Sequence, residues 1–79
     1  MMVGFVLITI SSGHEDEVCK QLSKEETVVD CTLLHACEYD LIVKVKGNNY
    51  GEIGEFVIGK VRMIEGVIDT KTLLGTLMM

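Results

Sequence analysis

The chain has no proline and no tryptophan, and only four aromatic residues, Phe5, Tyr39, Tyr50 and Phe56, in a length of 79. Without proline, its turns fall to Gly, Asn, Ser and Asp. Basic residues are also few: seven Lys and Arg, scattered along the chain, against twelve Asp and Glu, for a net charge of −5. Phosphate neutralisation needs clustered Lys and Arg, so direct binding to nucleic acid is not expected. Cysteine is sparse and odd in number, and Cys19, Cys31 and Cys37 form no C-x-x-C pair. That spacing writes neither a zinc site nor a thioredoxin-type motif. A small secreted scaffold carries an even and denser set, so the cysteines are read as reduced thiols of a cytoplasmic protein. No apolar run approaches the roughly 20 residues of a membrane-spanning helix. The apolar start, residues 1–10, lacks the basic region and cleavage site of a signal peptide, and no membrane partner is expected.

What the chain does have is aliphatic mass. Apolar residues make up 48% of it, nearly all Val, Ile, Leu and Met. The length allows one domain, residues 1–79. A domain this small buries only roughly 60% of its unfolded surface, so it needs staples, a metal, very good packing or a partner chain.

Hydrophobic spacing sets out the elements. Residues 3–10 read as a strand that is apolar on both faces, with Val3, Phe5 and Leu7 on one and Val6, Ile8 and Ile10 on the other. A first helix follows over 14–24. Glu15, Asp16 and Glu17 suit the positive end of its dipole, and Val18 and Leu22 face inward with Cys19 beside them. Residues 27–35 read as a second strand, with Val29, Cys31 and Leu33 on one face and Val28, Thr32 and Leu34 on the other. Residues 39–46 form a third strand, with Tyr39, Leu41, Val43 and Val45 on its apolar face, joined to the second as a hairpin. Asn48 and Asn49 offer an N-cap to a second helix over 50–64, which turns Ile53, Phe56, Val57, Val61 and Ile64 inward and ends at Gly66. A last strand covers 67–77.

The order β-α-β-β-α-β is the ferredoxin-like plan, an α+β fold: a four-stranded antiparallel sheet with two helices on one face. That plan leaves one sheet face uncovered, and the first strand is too apolar for water on both sides. A patch of that kind marks an interface. A second copy packed about a two-fold axis resolves it, so a homo-oligomer is expected from the strand pattern alone.

Catalytic constellations are missing. His14 and His35 lie near no recognisable nucleophile motif, and His35 and Cys37, two apart, do not make a dyad. The first loop reads Ser11-Ser12-Gly13, without the paired thiolates of a heavy-metal carrier. The one arginine, Arg62, lies within the second helix rather than a phosphate loop. No cofactor, metal or enzymatic activity is expected. One segment stands out: His35-Ala36-Cys37-Glu38-Tyr39-Asp40, a hairpin connection holding two carboxylates, a phenol and a thiol. A carboxylate there can accept hydrogen bonds from an ammonium group, while turn backbone can hold the other end of a small zwitterion. An ordinary polar turn is the competing reading.

Two segments carry a resemblance: Glu38-Tyr39-Asp40-Leu41-Ile42-Val43-Lys44-Val45 and Gly66-Val67-Ile68-Asp69-Thr70-Lys71-Thr72-Leu73. They resemble the effector (RAM) domain of the Lrp/AsnC feast/famine transcription regulators, which has a G-x-Y-D-like hairpin and a P-G-V-x-x-T-x-T segment before its last strand. Phe56 to Glu65 sits where that family has its second helix. The resemblance implies the ferredoxin-like fold, dimers packed sheet against sheet, rings of dimers such as an octamer, and an amino acid bound between dimers. By position it places Cys37, Glu38, Tyr39 and Asp40 along the ligand turn and Thr70 and Thr72 on the last strand. It also implies an RAM domain standing alone, since 79 residues leave no room for the family's helix-turn-helix, acting on transcription through full-length Lrp/AsnC relatives. Two positions depart from the pattern. Cys37 stands at the family's glycine, where glycine can take positive φ or let a ligand approach the backbone and cysteine does neither easily, which predicts a pocket that is altered, differently specific or absent. Glu65 replaces a proline. A structural oligomer without small ligand, and an enzyme using Cys37, are the alternatives.

Overall fold

A computed structural model describes residues 2–76 and 78. The elements are β1 (Met2–Ile10), α1 (Glu15–Ser23), β2 (Val28–Leu33), β3 (Leu41–Gly47), α2 (Tyr50–Phe56) with a π-helical continuation over Val57–Val61, and β4 (Val67–Thr76). The sheet runs β2-β3-β1-β4 with every neighbouring pair antiparallel. This is the ferredoxin-like order, with the strand that is apolar on both faces near its centre. Leu77, given to the last strand by the sequence pattern, lies outside the described residues.

One face of the sheet and both helices share a single core. Val6, Ile8 and Ile10 of β1 and Leu41, Val43 and Val45 of β3 meet Val18 and Leu22 of α1 and Ile53, Phe56, Val57 and Val61 of the second helix. Burying each such side chain stabilises the fold by about 1.5–3 kcal/mol. The approach of α2 to the sheet depends on two missing side chains. A Cβ on Gly4 or on Gly47 would come within 3.1 Å of the Ile53 side chain. Asn49 caps α2 through Oδ1, which accepts from the Glu52 N–H at 2.9 Å. Glu52 in turn accepts from the Asn48 N–H.

Three expectations need correction. The second helix ends at Val61, not Ile64. Its last stretch widens, with the Arg62 N–H donating to the Val57 carbonyl at 2.9 Å, five residues back. Arg62 is thus an exposed residue just past the helix. In β2, a bulge between Val28 and Asp30 puts Val28 opposite Val45 and Cys31 opposite Val43. Val28 and Cys31 therefore share the helix-side face, and Val29 is left 52% exposed. His35, Tyr39 and Asp40 belong to the connection, because the β2–β3 ladder closes at Leu33 and Leu41.

The opposite sheet face carries Phe5, Leu7, Ile42 and Leu73. Phe5 pairs with Leu73 on β4 and with Lys44 on β3, and the Lys44 ammonium sits 5.9 Å from the Phe5 ring centroid. Phe5, Leu7 and Ile42 are half-buried by their sheet neighbours, and Leu73 is exposed. No helix covers this face, and none among the described residues is long and apolar enough to cross a membrane.

The packing of α1 on β2 also brings two sulfurs together. Cys19 on α1 donates to Cys31 Sγ at 2.8 Å. Burial first, then the Cys19 hydrogen bond and charge, then Asp30, push the Cys31 thiol from 9.0 up to about 12. The folded chain thus keeps a proton that the unfolded chain releases between those values, so this contribution to stability is whole below pH 9 and is lost as pH rises toward 12. Denaturant midpoints are expected to fall from pH 8.5 to 10.5 (about 2 pH units across the onset), and to fall less in Cys31→Ala.

Candidate functional site

The connection from β2 to β3 spans 34–40 and is closed by backbone bonds at its base. The Leu34 N–H donates to the Asp40 carbonyl at 2.8 Å, and the Asp40 N–H donates to the Ile8 carbonyl at 2.8 Å. Asp40 then does with its side chain what the next residue of a strand would do with its backbone. Its Oδ2 accepts the Ile10 N–H at 2.7 Å. This is a charge-assisted bond, and it ends the β1–β3 ladder. Within the turn, Ala36 takes φ 56, the left-handed region that favours glycine.

That angle bears on the backbone part of the expectation at Cys37. The left-handed backbone falls on Ala36, one residue earlier, and Cys37 is not among the positive-φ residues. The backbone at Cys37 therefore makes no demand for glycine. Cys37 and Glu38 are exposed, whereas Tyr39 and Asp40 are half-buried. Across the sheet, Thr70 pairs with Ile8 and Thr72 with Val6. Both threonines are half-buried on edge strand β4 and lie on the helix-side face, since directly paired residues point the same way.

Asp40 and Thr70 thus flank Ile8 from its two sides, at the same end of the sheet. They sit two strand spacings apart, or roughly 10 Å. Thr72 lies one further pair into the sheet and away from the turn. The chain gathers Tyr39, Asp40 and Thr70 at this end, leaves Cys37 and Glu38 facing solvent, and sets Thr72 back. Two concavities that the chain presents lie elsewhere, one between α1 and the end of the second helix around Leu22, Met63 and Ile64, the other around Thr27, Lys46 and Asn48. Among the described residues, no three His, Cys, Asp or Glu gather as a metal-binding group.

The reading from sequence missed two features. Ala36 carries no sequence signal for its left-handed angle, and the Asp40–Ile10 bond depends on where β1 stops pairing. The polar break before an apolar run was the available signal for Asp40.

Comparison with known proteins adds the family. Residues 3–75 match the family described as the Lrp/AsnC ligand binding domain. A helix-turn-helix-type transcriptional regulator of Pyrococcus horikoshii is 41% identical over 74 residues, covering 90% of this chain and 49% of that protein. The chain therefore spans about half the length of such regulators. Among solved structures, the protein FFRP-DM1 superposes with a TM-score of 0.90 at 29% identity, covering 96% of this chain and 100% of that one. A transcriptional regulator of Neisseria meningitidis, solved in complex with L-Met, has a TM-score of 0.86 at 16% identity and shares the fold, covering 98% of this chain and 51% of its own.

Proposed function

The chain belongs to the Lrp/AsnC ligand binding domain family, and from that we propose that it binds a free amino acid, assembles as dimers and rings of dimers, and influences transcription through full-length relatives. It is a regulatory ligand-binding domain related to transcriptional regulators. The observation that carries the finer reading is the open end of the sheet at Asp40 and Thr70. Among the described residues, Oδ2 of Asp40 is engaged by the Ile10 N–H. The other carboxylate oxygen can accept from an α-ammonium group, and turn backbone from 35 to 38 can donate to an α-carboxylate. Tyr39 and Thr70 flank that position. Because the chain's own residues leave the site open, a second dimer would complete it. The regulator solved with L-Met supports an amino-acid ligand.

Assembly follows from the uncovered face around Phe5, Leu7, Ile42 and Leu73, whose burial against a second copy removes apolar surface from water. A ligand held between dimers then acts by population shift, favouring the assembly for which it has differential affinity.

A second reading, a structural oligomer without small ligand, draws on the same bond. The Asp40 carboxylate already serves the Ile10 N–H, and the two concavities around Leu22 and around Thr27 lie away from it. Thermal melting with each proteinogenic amino acid separates the two. An amino acid at about 100 times its Kd stabilises by roughly 2.7 kcal/mol, which in a domain of this size is a rise of roughly 10 °C or more. Indifference to all of them would favour the structural oligomer.

A further inference from the structure

We infer that Cys19 and Cys31 are a reversible disulfide site, closed by exchange with a low-molecular-weight disulfide, that staples α1 to β2. Cys19 lies on the sheet-facing side of α1, next to the buried Val18 and one turn before the buried Leu22. Cys31 points toward it from the helix-side face of β2, where the regular ladder with β3 places it opposite Val43. The two sulfurs stand 2.8 Å apart as free thiols. A covalent S–S bond, at about 2.05 Å, asks for a further approach of less than about 1 Å. Both side chains are half-buried rather than sealed, so a small reagent can reach them, and neither belongs to the ligand turn. Cys37, exposed on that turn, stands outside the pair.

The exchange balances without a metal or an electron carrier. Cys19 gives up its proton and its sulfur attacks one sulfur of the reagent, whose S–S bond breaks and whose other half leaves as a thiolate and takes up a proton. Cys31 then gives up its proton and attacks the Cys19 sulfur of the mixed disulfide, displacing the second half as a thiol. Two protein thiols are oxidised and one external disulfide is reduced to two thiols. Cys31, held protonated by burial and by Cys19 beside it, is the weaker first nucleophile, which leaves the opening attack to Cys19; its own attack in the second step relies on its closeness to the Cys19 sulfur. The closed loop from 19 to 31 ties a helix to an edge strand in a domain too small to have stability to spare.

The test uses the Cys37→Ser chain and oxidised glutathione. On oxidation the chain is expected to lose two hydrogens in mass, to stop reacting with an alkylating agent, and to yield a peptide joining Cys19 to Cys31 on digestion, all reversed by a reducing agent. The native chain should close the bond about tenfold faster or more than the chain in strong urea, since the fold supplies the proximity. The oxidised chain should also melt several degrees higher than the reduced one. In Cys19→Ser, made in the same background, the joined peptide should vanish. Cys19 and Cys31 that stay alkylatable, that each hold a separate glutathione, or that close no faster in the native chain than in urea would overturn the inference.

Discussion

Gly66→Ala is expected to lower stability by about 3 kcal/mol, from backbone strain and overpacking together. Gly66 has φ +99, outside the range that L side chains adopt freely. A Cβ built there meets His14 Cβ at 2.6 Å and Cγ at 2.7 Å, closer than real Cβ contacts come. The approach is fixed from the other side too, because the Ser11 N–H donates to the Gly66 carbonyl at 2.7 Å, locking the β1–α1 loop to the turn before β4. A domain of this length holds on the order of 4–12 kcal/mol in total, so the loss is a large share, and the thermal midpoint should fall by roughly 15 °C. Adding His14→Gly to Gly66→Ala should recover the steric part and leave the backbone part. Glycine is tolerated at the N-cap position that His14 holds. A single variant that melts within about 2 °C of the parent would contradict this reading of the turn.

The second large effect belongs to Asp40. Asp40→Ala removes the acceptor of the Ile10 N–H and leaves a half-buried donor without a partner at the end of the central strand. The expected cost is about 2 kcal/mol, seen as a fall of roughly 10 °C in the melting midpoint. Asp40→Asn separates this structural role from ligand binding. An amide oxygen can still accept from Ile10, so Asn should keep most of the stability, yet without a negative charge it should bind an α-ammonium group at least tenfold more weakly. If Asn loses as much stability as Ala, the bond rests on charge rather than geometry. If Asn keeps full affinity, Asp40 does not contact the ligand.

Much of the fold is legible in the sequence, for physical reasons. Residues 3–10 are apolar at every position that matters, and a strand of that kind has to lie between neighbours, which is where the order β2-β3-β1-β4 puts β1. Ile53, Phe56, Val57 and Val61 keep helical spacing and are all buried. The helix-side core of β3 follows the alternation of Leu41, Val43 and Val45. What escapes the pattern is local. A bulge adds one residue to one strand and reverses the faces before it, and nothing in Val28-Val29-Asp30 announces this. The pairing of Cys31 with Cys19 lies outside the strand pattern too, since it depends on how α1 packs on β2 rather than on either element's own spacing. The second helix stops three residues early although Ile64 keeps the spacing, because a widened last turn uses the chain at a different period.

For the site, the polar break before β3 marks the turn, and Asp40 stands out as a carboxylate beside an apolar run. Its bond to Ile10 depends on the end of a strand thirty positions away in sequence. The threonines of β4 entered through the family resemblance rather than through spacing. Their register explains why they differ, with Thr70 level with the turn and Thr72 behind it.

The most direct test is the molar mass of the purified chain by light scattering, alone and with each amino acid at saturating concentration. A dimer or larger ring whose mass or distribution shifts with one amino acid, and stops shifting in Asp40→Asn, is the predicted result. A monomer at every concentration, or an assembly that no amino acid changes, would contradict ligand-dependent assembly of this domain.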